Sequence, residues 1–344
     1  MSIDVEYLQK ILKDDPSNFQ ARRELSIALA DMGFNDEALV NFKYLRKYFP
    51  EDADIHYNIG IILEKLKEPL KAKKSYEKAI EINPHPDFYY NLGEVLVTLE
   101  QWDDAISIFE KVLKTDVNDG NSYFNLGLCY FNKNEYNSAI DNFNKATELN
   151  KNDLYAYFYM GNCYRQIGIP NFALDCYNKV LAISPDYSWA YFNIASIAYE
   201  QGNLEKCKEN LEQAINYNKF DIDAYKLLVK ISIKLNEVDN VLTLLHNQLD
   251  ATSDNGDIAY LLAQVYKFIA NAENYIKYLK LAIDNPLSLT YPLQALKKEL
   301  NKALENNEMT IPKEFDEYNS DDEYDEDGFD EDDFEYDEYS EDDE

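Results

Sequence analysis

The chain has 344 residues, 46% of them apolar, and a net charge of −32. That is ample for a folded body, and it excludes a general nucleic-acid binder, because phosphate recognition needs a basic footprint. The charge is uneven: residues 314–344 hold twenty acids and no lysine or arginine, which leaves the first 313 residues at a mild −12. No apolar run approaches the ~20 residues needed to cross a bilayer. The start, MSIDVEYLQKILKDD, lacks the basic-then-apolar order of a secretion signal. The expectation is a cytoplasmic protein made of a body and an acidic tail.

In chain order, residues 1–18 come first. Ile3, Tyr7, Leu8, Ile11 and Leu12 fall on one helical stripe, which predicts a short helix covering the segment after it. From residue 19 onward one phrase recurs: HYNIGIIL from His56, YYNLGEVL from Tyr89, YFNLGLCY from Tyr123, YFYMGNCY from Tyr157 and YFNIASIA from Tyr191. Aligned on it, Ser26, Gly60, Gly93, Gly127, Gly161, Ala195, Val229 and Ala263 stand 33 or 34 residues apart. Twelve residues after each lies a second mostly small column, Ala38, Ala72, Ala105, Ala139, Ala173, Cys207, Val241 and Tyr275. Four further on comes a bulky column, Phe42, Tyr76, Phe109, Phe143, Tyr177, Leu211, Leu245 and Leu279. Leu45, Ala79, Val112, Ala146, Val180, Ala214, Gln248 and Ala282 stand three residues later.

Turn signals separate the first column from the second: Gly33, Glu100-Gln101, Asn134, Gly168, Gly202 and Asn236. Prolines at 50, 84 and 185 stop the unit. Each unit is therefore a pair of helices. Small residues let the pair approach, and the bulky column is expected to fill the wedge against the next pair. After Pro292, Leu293, Leu296, Leu300 and Leu304 with Lys297, Lys298 and Lys302 outside predict a closing helix.

A 34-residue helix–turn–helix period with these columns resembles the tetratricopeptide repeat. The resemblance covers about eight units over residues 19–287, the seventh being degenerate at Val229, Val241 and Gln248. It implies an all-α, right-handed superhelical solenoid with a concave groove. Capping helices in residues 1–18 and 288–313 and a disordered acidic tail at 314–344 complete the expected organisation. It also implies a scaffold that binds another protein or peptide.

The asparagine of the repeated phrase is the first candidate for that binding. By helical geometry Asn58, and with it Asn91, Asn125 and Asn193, points about 150° away from the packing side; Tyr159 interrupts the run. A side-chain amide can bond both the N–H and the C=O of an extended peptide. The column is similar to the asparagine ladder of the superhelical domain of O-linked N-acetylglucosamine transferase, although no room follows residue 313 for a catalytic domain. Tyr57, Tyr90, Phe124, Phe158 and Phe192 run beside it, with Trp189 and Phe131 nearby, and aromatic faces are enriched at hot spots. The alternative is that both columns are inherited packing. Repeats of this family that clamp acidic chaperone C-termini are basic at these places, whereas Asp87 and Glu94 stand here and oppose a carboxylate.

Lys226, Lys230 and Lys234 follow i, i+4, i+8 spacing, and Lys267 lies in the next unit. They read either as an anion-binding stripe or as a solvated face. The tail adds seven aromatics to its acids and reads in three ways: a solvating arm, a binder of a basic protein, or a competitor docking on the body. Four cysteines without CxxC spacing read as buried free thiols. Three histidines and no nucleophile, phosphate-loop, dinucleotide or metalloprotease motif predict no enzyme, no cofactor and no metal site.

Overall fold

A computed structural model describes residues 5–252 and 254–306. Ile3 of the first stripe and the acidic tail lie outside the described residues. Within them the regular structure is eighteen α-helices and one short 3₁₀ turn, Pro286–Ser288, with no strand. The chain divides into two compact units, Met1–Leu235 and Asn236–Glu344.

In the first unit, α1 (Val5–Asp14) lays Leu8 on α2 (Phe19–Asp31), which pairs with α3 (Asn35–Tyr48). Next come α4 (Ala53–Lys65) with α5 (Pro69–Ile82), α6 (Pro86–Thr98) with α7 (Trp102–Thr115), and α8 (Gly120–Asn132) with α9 (Tyr136–Leu149). α10 (Leu154–Gln166) with α11 (Pro170–Ile183), α12 (Ser188–Glu200) with α13 (Leu204–Tyr217), and α14 (Ile222–Leu235) complete the unit. The second unit holds α15 (Asp239–Thr252), α16 (Gly256–Phe268), α17 (Ala272–Asp284) and α18 (Leu293–Asn306). The division falls in the repeat whose small columns are broken by Val229 and Val241.

Starts and stops follow local chemistry. Asp52, Asp119, Asp153 and Asn203 cap first or second helices by accepting backbone N–H bonds, and Pro69, Pro86 and Pro170 open helices where no N–H is needed. In the turn between the helices of a repeat one residue adopts positive φ: Gly33, Lys67, Glu100, Asn134, Gly168, Gly202 and Ala270; Asn236, between α14 and α15, does so too. Lys67 and Ala270 are not legible as turn residues, since neither type favours that conformation. Prolines 50, 84 and 185 sit two residues past helix ends, as expected.

The bulky column does something more specific than fill a wedge toward the next pair. In α4–α11 its ring lies on the glycine of its own repeat. A Cβ built on Gly60 would sit 2.5 Å from Tyr76, one on Gly93 2.6 Å from Phe109, one on Gly127 2.5 Å from Phe143 and one on Gly161 2.6 Å from Tyr177. All four rings are fully buried. Burying each contributes about 1.5–3 kcal/mol, and the missing Cβ sets how closely the two helices approach. In sequence, where the first column is Ala195 or Ala263 the bulky one is Leu211 or Leu279, whereas Ser26 in the first repeat keeps a ring, Phe42.

The second unit closes on one carboxylate. Glu299 of α18 accepts from Lys267 at 2.6 Å and Tyr275 at 2.8 Å on one oxygen and from Tyr260 at 3.3 Å on the other. Tyr275, bulky where alanine is usual, thereby acquires a role. Leu296 is buried, while Leu304 remains half exposed. Gly256 admits the carbonyl of Asn285, which a Cβ would meet at 2.5 Å.

The four cysteines are free and buried, and burial pushes each thiol up to about 12. Because only thiolate reacts, a disulfide-exchange reagent at pH 8 should label essentially none of them in the native protein and all four in urea. The glycine–ring contact is tested by Gly93→Ala. It should lower stability by about 1–3 kcal/mol through overpacking, read from the urea midpoint of the first unfolding transition. Combining it with Phe109→Leu should recover much of that loss.

Candidate binding face of the first unit

The asparagine column is where the structure departs most from expectation. Asn125 and Asn193 are 9% exposed, and Asn58 and Asn91 are half-buried. The side of the helix opposite its partner is not free, because first helices of successive repeats adjoin: α4 touches α6, α6 touches α8, and α8 touches α10. The amides serve that contact. Asn91 donates to the Tyr57 hydroxyl at 3.1 Å, and Asn125 donates to the Tyr90 hydroxyl at 3.3 Å. Asn58 donates to its own helix at the Asp54 carbonyl, 2.7 Å away.

The interruption at Tyr159 has a structural cause. The preceding repeat carries Phe124, which has no hydroxyl to offer, and Tyr159 fills the same gap with a ring 6.2 Å from Phe124 and 5.9 Å from Phe143. In the next step the aromatic is Phe158, again without a hydroxyl. Asn193 there accepts from Arg165 at 2.7 Å instead, and Arg165 also donates to Glu200. Between α12 and α14 the contact is Lys230 and Lys234, whose ammonium groups lie 5.1 Å and 5.5 Å from the Tyr199 ring centre. One inter-repeat contact per step thus links α4, α6, α8, α10, α12 and α14 into a single row.

Tyr57, Tyr90, Phe124 and Phe158 are half-buried, each over the bulky ring of its own repeat at 5.7–5.9 Å between centres. Their inner faces are packing, and their outer edges belong to the row's surface. Two aromatics one turn earlier on their helices are more open: Tyr155 is 55% and Trp189 49% exposed. Tyr187 joins them, 6.4 Å from Tyr155 and 5.3 Å from Phe158, and Trp189 lies 6.4 Å from Phe192. Sequence reasoning does not single out Tyr155, Tyr187 or Arg165. The signal for the first is the column six residues before the glycine, where Tyr155 and Trp189 align.

Charge differs along the row. At α4 and α6 burial holds the Glu64 carboxyl above the usual range against the Tyr76 hydroxyl that donates to it, and the Glu94 charge adds to the rise. Partial burial also raises Glu94, with Asp119 contributing. At α14, burial would raise the Tyr199 hydroxyl, but Lys230 and Lys234 outweigh it and lower it. Lys226 is paired with Asp223 at 3.1 Å. Lys267, in the second unit, is ion-paired with Glu299 at 2.6 Å. His56, buried, sits 2.8 Å from the Pro50 carbonyl and is a satisfied core histidine.

Comparisons with known proteins agree with this architecture. Profiles described as tetratricopeptide repeat match residues 53–86, which run from the first residue of α4 to the first of α6, and residues 176–209. The chain is a tetratricopeptide-repeat protein. A profile described as anaphase-promoting complex, cyclosome, subunit 3 matches residues 101–180, spanning α7 to α11. A search of curated proteins gives no match. Among solved structures, the chain is similar to pilF of Pseudomonas aeruginosa, at 16% identity and TM-score 0.51, over 61% of this chain and 96% of that one. It is also similar to a tetratricopeptide repeat protein from Parabacteroides merdae, at 14% identity and TM-score 0.50, over 74% of this chain and 99% of that one. YrrB, described as having an unusual peptide-binding site, is 28% identical over 54% of this chain and 96% of its own, with TM-score 0.47. The fold of the repeats is shared. None of the described helices is long and apolar enough to cross a membrane.

The inter-repeat bond is tested by a double-mutant cycle on Tyr57→Phe and Asn91→Ala. Each single change should cost about 0.5–1.5 kcal/mol, with a coupling near 0.5–1 kcal/mol. Phe124→Tyr, which has Tyr159 opposite, should show no such coupling with Tyr159→Phe.

Proposed function

We propose that this protein is a protein-interaction scaffold that holds an extended segment of another protein across the row of first helices in its first unit. The observation that supports the reading is a pair of aromatic groups on α10 and α12, Tyr155 and Tyr187 with Phe158, and Trp189 with Phe192. Two of these rings are about half exposed, although nothing in the packing requires a large apolar side chain there. Aromatic rings in such places supply large contact area at small entropic cost. Tyr57, Tyr90 and Phe124 extend the surface toward α4. The amide oxygens of Asn58 and Asn91 would accept from a peptide backbone, while their N–H groups are engaged by the Asp54 carbonyl and the Tyr57 hydroxyl.

The asparagines therefore have two duties, and their substitution would mix them. The cleaner variant is Tyr155→Ser with Trp189→Ala, which leaves the hydrogen bonds between neighbouring first helices intact and removes only the Tyr155–Tyr187 edge contact between repeats. A partner isolated with the full-length chain should bind this variant at least about tenfold more weakly, with an unchanged urea midpoint. Removal of residues 314–344 should leave its affinity within about threefold. The opposite pattern, binding lost with the tail and kept in the aromatic variant, would make the acidic arm the binding element and the repeats its carrier.

A further inference from the structure

The row of first helices is not uniform, and its variation is ordered. At the α4–α6 end stand Glu64, Asp87 and Glu94 beside Tyr57 and Tyr90. Glu64 accepts only the Tyr76 hydroxyl, Asp87 approaches His85 at 3.6 Å, and no lysine or arginine within ion-pair distance of Glu64 or Glu94 is found among the described residues. Lys65, the next residue to Glu64, is directed away and donates to the Ala30 carbonyl at 3.2 Å. In the centre, α8 to α12, the charged pair crossing the row is Arg165 with Glu200 at 3.1 Å, which cancels itself. Around that pair stand Phe124, Phe158 and Tyr159, with the amides of Asn125 and Asn193. At the α14 end Lys230 and Lys234 face Tyr199 instead of a carboxylate.

Acid, aromatic and base therefore follow one another along a single row in which each helix is tied to the next. An uncompensated charge at either end favours an opposite charge placed over it. The separation of the two ends, five helix steps of about 8–10 Å, is about 40–50 Å. Such a length is the reach of about 12–15 residues of extended chain at about 3.3 Å each.

Resting on the proposed function, we infer that the partner segment is charge-polarised. It carries lysine or arginine where it crosses α4 and α6, apolar or aromatic residues over α8 to α12, and aspartate or glutamate where it meets α14. Complementary charge would fix the register and direction of a segment that backbone bonds and aromatic contacts alone leave free to slide. A uniformly acidic segment meets repulsion at α4–α6, and a uniformly basic one meets it at α14.

The test uses the full-length chain and three synthetic 15-residue peptides that share one Leu/Phe centre. The first carries three lysines at one end and three glutamates at the other. The second has the same composition with its charges alternating, and the third has glutamine in place of every charge. The block peptide should bind at least about tenfold more tightly than the alternating one at low salt. A photo-crosslinker next to its lysines should label α4 or α6, and one next to its glutamates should label α14. Glu64→Gln with Glu94→Gln, or Lys230→Gln with Lys234→Gln, should each weaken the block peptide by a larger factor than the neutral one, bringing the two affinities together. Equal affinity for block and alternating peptides, or crosslinks without preference for either end, would overturn the polarity while leaving the binding face in place. No binding of any of the three, the neutral peptide included, would overturn the binding face itself and the polarity with it.

Discussion

Everything on the surface of the first unit depends on a contact that is wholly inside it, the ring of the second helix seated on the glycine of the first. Tyr76, Phe109, Phe143 and Tyr177 each occupy the volume that a Cβ would take, and in doing so they fix the separation and rotation of each helix pair. Fixed pairs repeat at a fixed spacing. That spacing brings the residue two before one glycine within hydrogen-bond reach of the residue three before the previous glycine, 34 or 35 positions away in the chain. Were the pairs free to rock, a single amide–phenol bond worth about 1 kcal/mol could not hold register from repeat to repeat.

The inter-repeat contacts then show how a repeat protein departs from its own pattern without losing it. Tyrosine with asparagine is one solution to the gap between neighbouring first helices. Phenylalanine with tyrosine is a second, and asparagine with arginine a third. Each keeps the gap filled, and in the first and third the amide is hydrogen-bonded across it. The substitutions are correlated across repeats and not within them, because the two sides of the gap come from different repeats. Inside the pairs, Gly60, Gly93, Gly127 and Gly161 go with rings and Ala195 and Ala263 with leucine.

Much of this is legible in the sequence because repetition averages out local noise. The helix pairs, the glycine and bulky columns, the closing prolines and the free thiols can all be read from residues 33 or 34 apart. The rest is hidden for physical reasons. The angular position of Asn58 relative to its own partner helix is correct, but that angle says nothing of a second neighbour approaching from the other side, so Asn125 and Asn193 are nearly buried. Lys67 and Ala270 adopt positive φ because the turn between packed helices imposes it, against their intrinsic preference. Lys267 looks like part of a cationic stripe by spacing alone, yet Glu299, thirty-two residues later, takes its charge. The Tyr155–Trp189 column is visible but lies outside the repeated phrase, so nothing in the repetition marks it.

The division of labour between columns decides how binding can evolve on such a scaffold. A residue that holds two repeats together cannot change freely, since its loss propagates through the row it ties. The residue six positions before the small column makes no side-chain hydrogen bond to the neighbouring first helix among the described residues, Tyr155 touching Tyr187 by its ring alone, and its character changes from repeat to repeat: Asp54, Asp87, Asn121, Tyr155, Trp189, Asp223. Acid gives way to amide, then to open aromatic, then to acid paired with Lys226. Packing holds the inner columns to a few solutions, while the outer column, where Tyr155 and Trp189 are about half exposed, varies more widely in chemistry. The stable core of the repeat and the specificity of its surface are thus separable by one helical turn.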